Sequence, residues 1–207
     1  LRLKAQPDFR VDFGGVLPVR LAAMTADEVA RVEVRHGNQM LALGELFDVA
    51  ALGGADESSA ELRLEGDLSR FDAIGQGLDG GVLRIDGAVG DRLGLSMRRG
   101  EIRVHGAAGQ LAGCEMTGGL IDIAGDVGDF AAGALPGSMD GMRGGTLIVR
   151  GNAGARCGDR MRRGTVVLHG DAGDFLASRM VAGTIAVGGR VGAHCGYGMR
   201  RGTLVFA

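Results

Sequence analysis

The sequence is poor in aromatic residues. It has no tryptophan, one tyrosine and seven phenylalanines among 207 residues, although 45% of its residues are hydrophobic. That hydrophobic content is too high for a disordered chain. A core without large rings must be thin and filled by Val, Ile, Leu and Met, so we expect a repetitive interior.

The sequence also lacks the features of several functional classes. Its three cysteines form no C-x-x-C pair, so neither a zinc site nor an iron–sulfur site is expected. No apolar run approaches the roughly 20 residues that span a bilayer. The formal net charge of −2 gives no electrostatic attraction to nucleic acid. We therefore expect a cytoplasmic protein that binds no metal, nucleic acid or membrane.

The glycines mark a repeat. TLIVRGNAGARCGDRMRRG, TVVLHGDAGDFLASRMVAG and TIAVGGRVGAHCGYGMRRG follow one another without a gap, and each closes on a glycine nineteen residues after the last (164−145, 183−164, 202−183). The period continues backwards to residue 61, except for one step of twenty-six residues (145−119) that carries seven extra residues (26−19) around Leu135 to Asp140. The chain starts without methionine and ends within a repeat, so we expect sequence beyond one or both ends. The closing glycines are Gly81, Gly100, Gly119, Gly145, Gly164, Gly183 and Gly202.

Each closing glycine precedes a predicted five-residue strand. Its second and fourth positions are apolar in nearly every repeat, as in Val166 and Leu168, which is typical of a strand with one buried face. The glycines after each strand, such as Gly151 and Gly154, are expected to turn the chain with positive φ. The pattern predicts a mainly β fold: a single-stranded, right-handed parallel β-helix of about seven 19-residue coils over residues 61–207, with a methionine column inside.

Residues 1–60 do not repeat and are predicted to form a small α+β cap. A stacked-strand solenoid needs its exposed end protected, so we expect this segment to cover the first coil. LRLKA predicts a short strand, and Thr25 with Glu28 gives a capping-box pattern for a helix over Ala26 to Val32. GNQMLALGELFDVAAL is interpreted as a strand, or a strand and a turn.

The repeats resemble a known domain. The G-x-h-G corners, the MRRGT closures and ALPGSMDGMRGG in the long coil are similar to the GXGXG domain, which forms a β-helix in glutamate synthase and in the C subunit of formylmethanofuran dehydrogenase. RLAAMTADEVARVEV, GNQMLALGELFDV and GDLSRFDAIGQG resemble this C-subunit family, including its form in the formyltransferase/hydrolase complex of methylotrophic bacteria. The resemblance covers essentially the whole chain.

The resemblance implies a non-catalytic scaffold subunit. The partners would be an amidohydrolase-like A subunit, a B subunit and a formyltransferase D subunit. The complex would pass a formyl group from tetrahydromethanopterin to a methanofuran-type cofactor and hydrolyse it to formate. The arginine-rich, lysine-poor composition favours this hydrolytic complex over its alternative, the C subunit of a molybdenum or tungsten formylmethanofuran dehydrogenase. A detached glutamate synthase β-helix domain is a further alternative, and the separate cap argues against it.

No catalytic arrangement emerges from the residues themselves. The glycine motifs recur in every coil and precede no helix, so they indicate corner geometry and no nucleotide site. Cys157 and Cys195 share a register two coils apart, too far for a disulfide, and small buried corner residues are expected there. His36 and His194 have no evident partners. The aspartates that follow or flank corner glycines are expected to be turn residues: Asp91, Asp126, Asp129, Asp159, Asp171 and Asp174.

Two outward-facing features suggest a role beyond the fold itself. The structural alternatives are that the apolar positions pack under a missing C-terminal tail, and that the arginines cap corner carbonyls or pair with neighbouring aspartates. The middle position of each strand changes from charged in the early coils to apolar in the late ones, and a stacked apolar ladder on a β-helix predicts a partner interface. Arginines also cluster before the closing glycines, where a row of guanidinium groups could bind the carboxylates of a glutamate-rich cofactor arm, which the resemblance supplies. The predicted interface residues are Ile148, Val167, Ala186 and Val205. The predicted cofactor-binding residues are Arg98, Arg99, Arg143, Arg162, Arg163, Arg200 and Arg201.

Overall fold

The described residues form a stack of short parallel strands behind a small N-terminal cap. The computed structural model describes residues 1–51 and 60–207, so the last part of the predicted cap, residues 52–59, lies outside the described residues. The helices are α1 (Pro18–Leu21), α2 (Ala26–Ala30) and α3 (Leu43–Leu46). The cap strands are β1 (Arg2–Leu3), β2 (Val11–Asp12), β3 (Glu33–His36), β4 (Gln39–Ala42) and β5 (Phe47–Asp48). The remaining strands are β6 (Glu61–Glu65), β7 (Phe71–Asp72), β8 (Asp79–Asp86), β9 (Arg99–Val104), β10 (Thr117–Ile123), β11 (Arg143–Val149), β12 (Arg163–Leu168), β13 (Thr184–Val187) and β14 (Thr203–Phe206).

The repeat strands stack in chain order, as the nineteen-residue period predicts. β6 and β8 to β14 form consecutive parallel neighbours of one sheet. Equivalent residues of successive coils lie opposite each other, so Ile121 pairs with Leu147 and Leu147 pairs with Val166. Each coil therefore adds one rung of about 4.8 Å to the stack. The predicted β-helix of stacked coils is confirmed.

The cap joins the first coil by extending the same sheet. β1 pairs in parallel with β6, and β5 pairs antiparallel with β1. Phe13 and Phe47 of the cap pack against Phe71 of the first coil, with ring centroids 5.4–5.7 Å apart. The first coil is therefore covered by the cap.

Two details of the predicted cap are wrong. Helix α2 has the expected capping box of Thr25 and Glu28 but ends at Ala30, two residues early. The segment read as a strand or a strand and turn contains helix α3 between β4 and β5. Glu45 favours this helix because its carboxylate accepts the Ala42 N–H at 2.9 Å and satisfies a donor at the helix start.

The interior is filled by inward strand positions and a methionine column. Val166 and Leu168 are at most 1% exposed, and Met97, Met116, Met142, Met161 and Met180 are fully buried. In the last described coil the same positions are more exposed. There Phe206 is 52% exposed, and Cys195 is exposed although Cys157, at the same place two coils earlier, is buried.

The corner glycines serve two different physical purposes. The closing glycines have positive φ, from +76° at Gly81 to +119° at Gly202, as an αL position requires. The prediction of positive φ is wrong for Gly151 and Gly154. A Cβ at either glycine would lie 2.3 Å from an aspartate Oδ1 of the preceding coil, Asp126 or Asp129 respectively. These glycines are needed for close approach between coils.

The same aspartates form hydrogen bonds between coils, beyond the turn role expected of them. In one column, Asp126 accepts the Asn152 N–H at 2.6 Å, Asn152 accepts the Asp171 N–H at 2.8 Å, and Asp171 accepts the Arg190 N–H at 2.7 Å. The Arg190 N–H holds the pKa of Asp171 below its usual value. The carboxylate therefore links successive coils, and the glycine leaves the space that this contact needs.

Replacing Gly170 by alanine tests this contact. A Cβ there would lie 2.5 Å from both Asn152 Oδ1 and the Gly151 carbonyl oxygen, so we expect a loss of about 3 kcal/mol in the free energy of unfolding. Gly77→Ala is the control, since Gly77 has φ +67° and no neighbour within 4 Å, and should lose only about 1 kcal/mol. Denaturant unfolding followed by circular dichroism measures both. Equal losses would show that close approach is not what Gly170 provides.

Candidate functional site

The outward face of the early coils is a network of ion pairs. Arg63, Arg84 and Arg103 lie in one register column, as predicted. Arg63 Nη2 lies 2.6 Å from Asp86 Oδ2, and Arg84 Nε lies 2.8 Å from Glu61 Oε1. Since these side chains are exposed to solvent, each pair contributes little to stability. This half of the face is polar and internally charge-balanced.

The same column becomes apolar from β11 onward. Ile148, Val167, Ala186 and Val205 are consecutive register partners. The first three are half-buried and Val205 is 49% exposed. A parallel row of threonines runs beside them: Thr146, Thr165, Thr184 and Thr203. The predicted ladder thus exists as a flat surface of small and β-branched side chains, and its role as an interface stays a prediction.

The arginines before the closing glycines do not form one continuous row. The structure brings Arg143, Arg162 and Arg163 together, with Arg143 and Arg163 paired in register on β11 and β12. The other two pairs, Arg98–Arg99 and Arg200–Arg201, each lie two coils away from this group. Thr117 and Gly118 intervene on one side, and Val181 and Ala182 on the other.

All seven predicted arginines are exposed, but two of them are engaged by aspartates. Arg99 Nε lies 2.7 Å from Asp79 Oδ1, and this hydrogen bond lowers the pKa of Asp79. Arg162 forms an ion pair with Asp140, which lies in the seven-residue insertion. Within residues 1–51 and 60–207, no ion pair involves Arg98, Arg143, Arg163, Arg200 or Arg201, so their guanidinium groups are available to an external anion.

A stack of aromatic and cationic side chains at another corner was not predicted from the sequence. The Arg156 guanidinium lies over the rings of Phe175 and Phe130, at 4.7 and 5.8 Å from their centroids. Phe175 also stacks on His194 at 4.8 Å. His194 therefore has a partner, as does His36, whose Nε2 accepts the Phe9 N–H at 3.2 Å. An alignment of the repeats could have revealed this stack, because Arg156, Phe175 and His194 each lie eight residues before a closing glycine.

Next to this stack lies a buried carboxylate among three arginines. The Asp159 side chain is 7% exposed, and guanidinium nitrogens of Arg156, Arg160 and Arg179 lie 3.6–4.0 Å from its oxygens. Asp159 Oδ1 and Ser178 Oγ are buried without a hydrogen-bond partner among the described residues. Asp159 lies in the turn predicted for it, and it is also the central acid of a basic cluster.

Two general features of the described residues bear on function. None of the described helices is long and apolar enough to cross a membrane. The described residues also contain no group of three or more His, Cys, Asp or Glu side chains placed to hold a metal ion.

The chain is similar to the C subunits of two kinds of enzyme. It is 44% identical over 93 residues to the C subunit of the formyltransferase/hydrolase complex Fhc of Methylorubrum extorquens, covering 45% of this chain and 33% of that protein. It is 33% identical over 83 residues to the C subunit of a molybdenum-containing formylmethanofuran dehydrogenase of Methanosarcina barkeri, covering 40% of this chain and 28% of that protein. The matched stretches thus span about a third of these curated relatives. No protein-family model matches the chain.

A solved structure extends the similarity to the whole chain. The crystal structure of the formyltransferase/hydrolase complex of Methylorubrum extorquens, in complex with methylofuran, contains a chain that is 42% identical, with a TM-score of 0.93. The match covers 100% of this chain and 76% of that one.

The cysteines allow a direct test of the burial pattern. Burial raises the pKa of the Cys114 and Cys157 thiols to about 12, whereas Cys195 is exposed. Since the thiolate is the reactive form, we expect a thiol reagent at about pH 8 to label only Cys195 in the folded protein, and all three cysteines after unfolding. Mass spectrometry of the labelled protein measures this. Native labelling of Cys114 or Cys157 would contradict the closed interior.

Proposed function

This chain belongs to the C-subunit family of formylmethanofuran dehydrogenases, and we propose that it is the scaffold subunit of a formyltransferase/hydrolase complex. In this proposal the complex transfers a formyl group from tetrahydromethanopterin to a methanofuran-type cofactor and hydrolyses it to formate in the cytoplasm. The partners are an amidohydrolase-like A subunit, a B subunit and a formyltransferase D subunit. The observation that carries the proposal is the 42% identity over the whole chain to a chain of such a complex.

The architecture suits a scaffold. Backbone hydrogen bonds and the side chains of Asp126, Asn152 and Asp171 join each coil to the next, so side chains on different coils keep fixed separations. In this proposal residues 1–60 form the cap and residues 61–207 form the β-helix. The β-helix then offers its outward columns to other subunits.

The apolar ladder is the proposed partner interface. Ile148, Val167 and Ala186 form a continuous surface with the adjacent threonines and lack the ion pairs of the early coils. Removing such a surface from water is favourable by about 25 cal/mol per Å². The neighbouring charged half suits the polar rim that surrounds the apolar centre of a protein interface.

The exposed arginines are the proposed guides for the carboxylates of the cofactor arm. Arg143 and Arg163 offer guanidinium groups without an ion pair in neighbouring coils, and each suits a bidentate contact with a carboxylate. Arg162 lies beside them, and in this proposal it exchanges Asp140 for a carboxylate of the arm. The path of the cofactor arm would extend in both directions along the axis of the β-helix, to Arg98, Arg99, Arg200 and Arg201. Methylofuran is bound in the similar complex, and its contact with this chain is part of the proposal.

A redox complex is the second candidate. The similarity to the C subunit of a molybdenum-containing formylmethanofuran dehydrogenase favours it, although the identity of 33% is lower than the 44% to the hydrolytic relative. Both candidates assign the same scaffold role and differ in the catalytic partners.

Native mass spectrometry of the complex, purified untagged from its host, tests the proposal. We expect amidohydrolase-like and formyltransferase-like chains to co-purify with this one. We also expect Ile148→Arg with Val167→Arg to abolish their co-purification, because two charges would be buried in an apolar contact. Val82→Arg is the matched control, since Val82 is an outward strand residue whose register partners are Glu61 and Glu101. Molybdopterin and iron–sulfur subunits would select the second candidate, and a lone chain would contradict both.

Changing Arg162 and Arg163 to alanine tests guidance of the cofactor arm. We expect at least about tenfold weaker retention of the cofactor by the intact complex, since charge-assisted hydrogen bonds to carboxylates are lost. The measurement is the cofactor mass in native spectra at increasing salt. Arg84→Ala on the ion-paired face is the control and should retain the cofactor. Unchanged retention by the double variant would refute arm binding at these residues and leave the scaffold proposal intact.

A further inference from the structure

The three arginines around Asp159 occupy positions where the fold accepts glycine more easily. Arg156 has φ +60°, Arg160 has φ +57° and Arg179 has φ +55°, all in the left-handed region that is strained for L-residues. Arg160 and Arg179 lie four residues before their closing glycines, and the same place is filled by Gly77 and Gly198 in the first and last coils. The backbone geometry therefore does not demand arginine there.

The cluster carries more positive charge than its acid neutralises. Arg156 Nη1 lies 3.9 Å from Asp159 Oδ1, Arg160 Nε lies 3.6 Å from Oδ2, and Arg179 Nε lies 4.0 Å from Oδ1. At these separations none of the three forms a hydrogen bond to the carboxylate. One aspartate thus gathers three guanidinium groups, and two positive charges remain in excess.

The neighbouring acids on the facing segments are already engaged. Asp140, on the insertion, is paired with Arg162. Asp174, next to Phe175, uses Oδ1 to accept the Ala193 N–H at 2.7 Å. No described carboxylate other than Asp159 forms an ion pair with Arg156, Arg160 or Arg179. The excess positive charge of the three guanidinium groups therefore favours binding of an external anion.

The side chains are held in place yet reachable. Arg156 is fixed between Phe130 and Phe175, while Arg160 and Arg179 share one register a single coil apart, about 4.8 Å. Their side chains are 31%, 22% and 43% exposed, in the order Arg156, Arg160, Arg179. Two guanidinium groups from adjacent coils can donate to the oxygens of a single carboxylate or phosphate group.

We propose that the corner formed by Arg156, Arg160 and Arg179 is a binding site for an oxyanion, either a carboxylate or a phosphoryl group of a small ligand. Asp159 acts as the buried acid that gathers the three guanidinium groups and compensates for one of them. The site belongs to the chain itself, and its existence does not depend on the chain's place in a complex.

The test is a titration of the 207-residue chain with inorganic phosphate, pyrophosphate and tri-L-glutamate at matched ionic strength. Tyr197 is the single tyrosine of a chain without tryptophan and lies against Phe175, with centroids 5.9 Å apart, so its fluorescence reports on this corner. Calorimetry gives the affinity. Preference for tri-glutamate identifies a carboxylate ligand and preference for the phosphates a phosphoryl ligand, and either supports the site. Failure of all three probes to bind at about 10 mM would overturn it.

Glycine substitutions separate binding from a structural role. Arg160→Gly and Arg179→Gly remove the guanidinium groups while relieving positive-φ strain, so we expect at least about tenfold weaker anion binding with an unchanged or higher unfolding temperature. Glu115→Gly is the matched control, since Glu115 occupies the same column with φ +54°, and it should bind like the parent.

If either glycine variant does not fold, the corresponding Arg→Gln variant takes its place. Unchanged anion binding, or a lower unfolding temperature without weaker binding, would overturn the proposal. The co-purification results would be unaffected in either case.

Discussion

The structure depends on the stacking of one coil on the next at the spacing of a parallel β-sheet. Strand hydrogen bonds fix that spacing at about 4.8 Å, and every coil must repeat the same path for the bonds to continue. A residue therefore always lies above and below its counterparts from the neighbouring repeats. The side chains of one column therefore have the same surroundings in every coil, and the inward columns together form a closed interior.

That constraint accounts for the chemistry of the inner columns. Where a coil approaches the backbone of the one before it, as at Gly151, only glycine leaves room for the aspartate oxygen that bonds across the gap. Inside the coil, methionine recurs because a flexible, unbranched side chain fills an irregular space between strands and corners. The fully buried phenylalanines are concentrated where the cap closes the solenoid, at Phe13, Phe47 and Phe71.

The outward columns are free of this constraint, and there the coils differ. One strand column changes from Arg103 and Asp122 to Ile148 and Val167 within two coils. One corner carries a stack of Phe130, Arg156 and Phe175, although the backbone there has the same left-handed conformation in every coil. A regular interior with an irregular surface is consistent with the proposed scaffold role and with the proposed anion site.

The sequence by itself determined the repeat, the register and the buried strand positions, because a fixed period of nineteen residues forces equivalent residues into columns. It also determined the apolar ladder, since Ile148, Val167, Ala186 and Val205 occupy one place in successive repeats. Only the tertiary structure decided which glycines have positive φ and which are required by contact with another coil. Only the structure showed that Asp140 reaches Arg162 from the insertion and that Asp159 gathers Arg156, Arg160 and Arg179. The period specifies which residues share a column, whereas side-chain contacts between columns depend on how the corners bend in three dimensions.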